Sequence, residues 1–441
     1  MGKEYSLINQ SISNVINHTK ESNSFDLVHF FSQMENAFKE TGFREVQKSG
    51  VKNILIIRLD AIGDFVLSTG FIRELRLNYS AARITLVVSK LVYPLAELCP
   101  YVNRVIAFEE KLNDVEIIEQ LEILSRFAEE NFWQERYDVS FSIQWGSENL
   151  PALLMSYLSG ARERVGYGYQ IELLYFDKLP PKNQDPNYLF LTKPVINPKE
   201  LVHETEKLFY ILNAIGLSTR STDMELWYNL RDLQRARLLL SGINADFTKI
   251  VIGIGAGGNG RKYSVDNYIK AFKSIVDRKN GKVCFIIIGG KAEAADAEKI
   301  QNALPQNCIH NLVEKTTLRE TIGVIALSDM FIGNDTGVMH MAAALNVPLI
   351  AIYRQPKDKD NVVPGVFSEY DRFAPCQATA ISLRPEHALG DCKNAVVYGG
   401  CKEMDSHCIN QVNPKEIVEA FDSLDYILKN NWKLIRRHEN V

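Results

Sequence analysis

The feature that most restricts the fold is a repeated pair of patterns: a short apolar run, then a glycine turn leading into helical spacing. KNILIIRL, from Lys52, is followed at once by DAIGDFVLSTGFIRELRLNY, where Phe65, Val66, Leu67, Phe71, Ile72 and Leu75 are available for a helix face. A run that is apolar throughout suits a strand buried on both faces, and strand, glycine turn and helix open a βαβ unit. ARITLVVS, NRVIAFE and YDVSFSIQ continue the alternation. A second series begins at TKIVIGIGAG and runs through KVCFIIIGG, NCIHNLV, DMFIGN and VPLIAIY. Two parallel-sheet halves are therefore expected. Because such sheets bind ligands at the carboxyl ends of their strands, the functional cleft is expected between them.

The boundaries follow from where the alternation starts and stops. Residues 1–50 carry LVHFFSQMENAFKE, apolar at helical spacing, and read as a helical N-terminal extension. Residues 51–225 form the first half and 226–441 the second, which includes a cysteine-bearing segment at 376–408. Between about 166 and 200 the sequence is rich in Tyr, Pro and Asn and reads as loops and short strands. A helix from about Val202 to Leu217 and a linker near 218–232 follow.

Composition narrows the function. At 441 residues, 46% apolar and 24% charged, the chain is globular and too long for one ordinary core. Fifty basic and 54 acidic residues are spread without an arm of one sign, for a net charge of −4, which argues against nucleic acid as a partner. No apolar run approaches the ~20 residues of a membrane span, and MGKEYSLINQSISN lacks the order of a secretory signal. A cytoplasmic protein is expected, with peripheral contact at the inner face of a membrane left open.

Two stretches carry candidate chemistry. In RLDAIGDFVLSTG, Asp60 and Asp64 flank Gly63 at the mouth of the first sheet. Asp64 reads either as a helix N-cap or as a base able to take a proton from a hydroxyl. In GNDTGVMHMAAALNVP, a strand ends in Asn-Asp-Thr-Gly before a helix, and the free N–H groups and dipole of that helix start suit a diphosphate. There Thr336 reads as a cap and His340, taken alone, as a buried histidine held by hydrogen bonds.

Together these stretches resemble glycosyltransferase family 9, the family of the ADP-heptose lipopolysaccharide heptosyltransferases, over roughly Asn53 to Ala420. Asp335-Thr336-Gly337-x-x-His340-x-Ala342-Ala343 is the more specific motif and Gly63-Asp64 the less specific one. The resemblance implies an α/β GT-B fold of two Rossmann-like domains facing a central cleft, with metal-independent, inverting transfer. It also implies Asp64 as catalytic base, Asp335, Thr336 and Gly337 as contacts to the donor sugar and pyrophosphate, and His340 as support for that loop.

A third stretch, GIGAGGNGRKYSVDNY, contains Gly253-x-Gly255-x-x-Gly258, the spacing of a dinucleotide fingerprint. The loop runs on through Arg261 and Lys262 before a helix can start, and the next strand ends in glycines rather than a ribose-binding acid. In the family resemblance this loop carries a basic donor-phosphate contact, matched by Arg261 with Lys262 beside it; Tyr263 and Ser264 stand where a Trp-Pro pair is common. A cation there would stabilise the charge gained by a departing nucleoside diphosphate. Glu293, after Gly289 and Gly290, is matched with a nucleoside contact.

Cys376, Cys392, Cys401 and Cys408 are separated by 15, 8 and 6 residues. Four thiolates in an irregular segment suit a structural Zn or Fe site, although no Cys-x-x-Cys pair is present. Free thiols or a disulfide are the equal alternative.

The expected function is transfer of a sugar, with ADP-heptose the favoured donor, to a glycan, lipid-linked glycan or protein hydroxyl. No cofactor is required for the chemistry, and homo-oligomer formation is left open. A nicotinamide-dependent oxidoreductase built on the glycine fingerprint and a non-catalytic nucleotide- or glycan-binding scaffold are the competing readings.

Overall fold

The structure is a computed structural model. It describes residues 3–42, 50–110, 112, 115–144, 149–168, 186–196, 198, 200–257, 259–357, 369–389 and 407–430. Two compact units divide the chain. One comprises Met1–Ala61, Gly70–Leu201 and Thr205–Thr222; the other comprises Ile62–Thr69, Val202–Glu204 and Asp223–Val441.

The first unit is built on a six-stranded parallel sheet of β1 (Asn53–Arg58), β2 (Arg83–Ser89), β3 (Arg104–Phe108), β4 (Val139–Ser142), β5 (Glu163–Tyr167) and β6 (Lys193–Val195). Their order is β3-β2-β1-β4-β5-β6. Ile54, Leu55, Ile56 and Ile57 are all 0% exposed, as a strand covered on both faces requires. The helix after β1 spans Ile62–Asn78. It is buried on more than one side from Phe65 to Leu75, with Ser68 and Thr69 also enclosed, so the single apolar face read from the sequence understates its burial.

The N-terminal helices, Lys3–Ser22 and Leu27–Glu40, belong to the core of this unit. Asp26 starts the second by accepting bonds from the N–H groups of Val28 and His29. Phe30, Met34 and Phe38, each fully buried, pack with Trp133, Tyr157 and Phe190. Burial on this scale contributes about 1.5–3 kcal/mol per side chain. The extension thus packs on the helices of this unit as part of its core, which local periodicity alone could not show.

The second unit holds β7 (Thr248–Gly253), β8 (Val283–Ile288), β9 (Ile309–Asn311), β10 (Met330–Asn334), β11 (Leu349–Ile352) and β12 (Ala380–Leu383). Its parallel order, β9-β8-β7-β10-β11-β12, repeats that of the first unit strand for strand. Both are the doubly wound order 3-2-1-4-5-6, whose switch point lies beside the first strand: between β1 and β4, and between β7 and β10. The helix Val265–Arg278 and the C-terminal helix Pro414–Asn430 cover one face, burying Tyr268, Phe272, Ile275, Ile417 and Phe421. The helix Leu318–Ala326 is set by a capping box in which the Thr317 hydroxyl accepts from Glu320 N–H and the Glu320 carboxylate accepts from Thr317 N–H.

The helix foreseen at Val202–Leu217 runs from Glu204 to Ala214. Among the described residues no helix is long and apolar enough to cross a membrane.

Candidate active site

Asp60 and Asp64 have different environments. Arg58 ends β1 with its side chain 2% exposed, and its guanidinium pairs with Asp60 at 2.8 Å and donates to the Ile143 carbonyl at 2.7 Å. The ion pair ties Asp60 to the sheet end, and Asp64 lies in the helix that follows. That helix begins at Ile62 with Ala61 as N-cap and no side-chain capping bond, so Asp64 is the third helical residue rather than the cap. In the first turn its charge is favoured by the helix dipole.

The second motif is equally well placed. Thr336 is the N-cap of the helix Gly337–Ala344 in extended backbone, but its hydroxyl makes no capping bond, and its Oγ1 is buried without a hydrogen-bond partner. His340 is 4% exposed. Its Nδ1 also lacks a partner, and its Nε2 lies 3.9 Å from Asp335, beyond hydrogen-bond length. The hydrogen-bonded buried histidine read from the sequence is therefore not what forms. Burial, and after it the nearby His203, pushes the His340 imidazole down to about 3, so the ring is neutral at ordinary pH. Orphaned polar atoms of this kind are uncommon in a native interior and mark a place where another molecule can complete the bonding.

The two motifs, far apart in sequence, touch. A Cβ at position 63 would lie 2.9 Å from His340 Cδ2 and 3.6 Å from Gly337 Cα. A Cβ at position 337 would lie 2.8 Å from Ile62 Cβ and 3.1 Å from the Gly63 nitrogen. Only glycine at both positions lets the two helix starts approach this closely. The helix start bearing Asp64 is thereby set beside the one bearing Thr336 and His340, all within the second unit.

The basic pair of the third stretch is split by its surroundings. Lys262 makes an ion pair with Asp296 at 2.7 Å, whereas Arg261 ends the short 3₁₀ turn Asn259–Arg261. Glu293 accepts from Gly290 N–H at 2.8 Å, as a residue at a helix start does. Its carboxylate also leans over Gly255, where a Cβ would lie 2.9 Å from Oε1. An acid over the glycine loop, and a first helix that waits until Val265, fit poorly with a dinucleotide pyrophosphate seated on that loop.

Sequence reasoning missed Asn334. It is 0% exposed at the end of β10 and bonds to both the end of β7 and the segment after Arg261. The available signal was a lone amide closing an otherwise apolar strand. Tyr263, which stands where the resembled family commonly has Trp, is 2% exposed and donates to the Val412 carbonyl at 2.7 Å; burial raises its phenol above the usual range.

Of the four cysteines, Cys376 is half-buried and Cys408 buried, with Cys408 Sγ 3.5 Å from His407 Nε2. Cys392 and Cys401 lie outside the described residues. Among the described residues no group of three or more His, Cys, Asp or Glu is arranged to hold a metal ion.

Comparison with known proteins points the same way. Residues 184–362 match the model of glycosyltransferase family 9 (heptosyltransferase). A putative glycosyltransferase of Haemophilus influenzae is 23% identical over 318 residues, 69% of this chain and 82% of the relative. The lipopolysaccharide heptosyltransferase 2 of Escherichia coli is 24% identical over 325 residues, 68% of this chain and 82% of the relative. Among solved structures, a family 9 glycosyl transferase from Veillonella parvula superposes with a TM-score of 0.66 at 16% identity, covering 86% of this chain and 99% of that one. The E. coli ADP-heptose heptosyltransferase II gives 0.62 at 20% identity, with the same coverages. With its two sheets of identical strand order and its paired Gly-Asp and Asp-Thr-Gly-x-x-His motifs, this chain has a GT-B fold and is similar to the family 9 heptosyltransferases.

Proposed function

We propose that the chain transfers a heptose from ADP-heptose to a hydroxyl of a glycan, lipid-linked glycan or protein acceptor, with inversion and without a catalytic metal. The observation that supports this reading is the contact between the helix start that carries Asp64 and the one that carries Thr336 and His340, whose Thr336 Oγ1 and His340 Nδ1 are buried without hydrogen-bond partners. The names of the relatives, and the E. coli heptosyltransferase solved with ADP-2-deoxy-2-fluoro heptose, support the donor class.

In this scheme Asp64 takes the proton of the acceptor hydroxyl as that oxygen bonds to the anomeric carbon. The bond from that carbon to the diphosphate oxygen breaks, and its electron pair leaves with ADP. The N–H groups at the start of Gly337–Ala344 and the Arg261 guanidinium stabilise the negative charge growing on the diphosphate. Asp335 and Thr336 hold the sugar, neutral His340 supports their loop, and Glu293 reaches the nucleoside.

The reaction is placed in the cytoplasm, at the inner membrane face if the acceptor is lipid-linked. A Zn or Fe ion on Cys376, Cys392, Cys401 and Cys408 would be structural, and elemental analysis of the purified protein checks that separately. The transfer reading is tested by nucleotide release from a panel of ADP-, UDP- and GDP-sugars. Selective release from ADP-heptose supports it, and equal indifference to every donor refutes it.

A further inference from the structure

The main-chain ladder between β7 and β10 stops at the pair Gly253–Gly333, at the switch point of the second sheet. Beyond it the two strand ends must separate if a ligand is to enter between them. Asn334 is the first residue past that pair, and its side chain takes over where the ladder ends. Its Nδ2 donates to the carbonyls of Ile254 at 2.9 Å and Gly255 at 3.1 Å. Its Oδ1 accepts from the Tyr268 hydroxyl at 2.8 Å and, more weakly, from Tyr263 N–H at 3.4 Å. Both donors and both acceptor directions of the amide are used, in a fully buried place.

The segments held in this way are those that carry the proposed donor groups. Ile254 and Gly255 precede the Arg261 turn, Gly255 lies under Glu293, Tyr263 follows Arg261 by two residues, and Asp335 and Thr336 follow Asn334 directly. The Arg261 segment is pinned further by the Tyr263 hydroxyl on Val412 and by Ser264 N–H on Asn410. Movement of this amide would change the separation between the cation that meets the diphosphate and the residues that hold the sugar.

We infer that Asn334 is a positioning residue that fixes the Arg261 segment relative to Asp335 and Thr336 for transfer. The inference rests on the proposed donor site, and it assigns to one amide a task that packing alone would leave loose. No other natural side chain of this size offers two donors and two acceptors. Aspartate keeps only the acceptors and turns a charge on two carbonyls, whereas leucine keeps only the shape.

The test compares Asn334→Leu, Asn334→Asp and Tyr268→Phe in the full chain by thermal unfolding, ADP binding, and kcat and KM for donor turnover well below the unfolding temperature. For Asn334→Leu the expected result is a kcat lower by about 100-fold with ADP affinity lower by about 10-fold, the scale of an ångström-level misplacement. Asn334→Asp should recover part of its kcat as pH falls, because a protonated carboxyl can again donate to a carbonyl; the native protein lacks that recovery. Tyr268→Phe, the milder change, should fold even if the others do not, and should lower kcat about 5-fold with donor KM little changed. Variants that unfold earlier but turn over donor like the native protein, or a Tyr268→Phe protein with native kcat, would overturn the inference. If the native chain binds ADP but turns over no nucleotide sugar, the transfer reading fails; the positioning role is then judged on ADP affinity, which must fall in Asn334→Leu.

Discussion

Gly63→Ala tests the contact on which the site depends. In a helical turn, alanine in place of glycine ordinarily stabilises by about 0.5–1 kcal/mol. Here the new methyl would sit 2.9 Å from Cδ2 of the buried His340 ring, with Gly337 Cα behind it at 3.6 Å. Restoring ordinary contact needs a shift of roughly 0.5 Å between two packed helix starts, and overpacking of this kind costs about 1–3 kcal/mol. The expected net loss is about 1 kcal/mol, or about 2–4 °C in the midpoint of a unit this size. Catalysis should suffer more, by about 100-fold, because the same shift moves Asp64 away from the Asp335–His340 loop. Gly242→Ala is the control: no atom lies within 4 Å of its Cβ position, and its stability should stay within about 0.5 kcal/mol. Adding His340→Ala to Gly63→Ala removes the obstructing ring and should restore stability without restoring turnover. The assays are calorimetric unfolding and nucleotide release. A Gly63→Ala protein that gains stability and keeps its turnover refutes the reasoning.

Further outcomes follow from the same geometry. His340 is held down to about 3 from an ordinary 6.5, so between those pH values the unfolded chain binds more protons than the folded one. Its stabilising effect is complete above about pH 6.5 and is lost towards pH 3 at up to about 1.4 kcal/mol per unit; urea titrations at several pH values should show a flatter acid limb for His340→Gln. Arg261→Ala should lower kcat for donor turnover about 100-fold, whereas Lys262→Ala, whose ammonium is committed to Asp296, should change it less than about 3-fold; steady-state kinetics on the pair decides.

The strand–helix alternation was legible because the central strands are buried on both faces, so local composition reports their environment directly. The ILII core of NILIIR and the whole of VCFIII are apolar, and the two runs become β1 and β8. The two site motifs were legible for a similar reason, since a glycine and an acid at the end of an apolar run mark where a buried strand gives way to polar surroundings. Their contact was not: Gly63 and Gly337 meet only through the tertiary fold, and no periodicity encodes a partner so distant. The same holds for the N-terminal helices, whose apolar spacing announces a buried face without naming Tyr157 and Phe190 as what it covers. Asn334 escaped because its value lies in four bonds to three segments, and the alternative of Asp64 as a cap fell away because Ala61, a residue with no capping side chain, begins that helix.

The central claim is that Asp64 is the base of a glycosyl transfer. Its most direct test is Asp64→Asn, assayed for transfer from ADP-heptose to acceptor and, in parallel, for ADP-heptose binding. Transfer should fall by at least about 1,000-fold while donor affinity stays within a few-fold of the native value. Transfer at the native rate by the asparagine variant would contradict the claim.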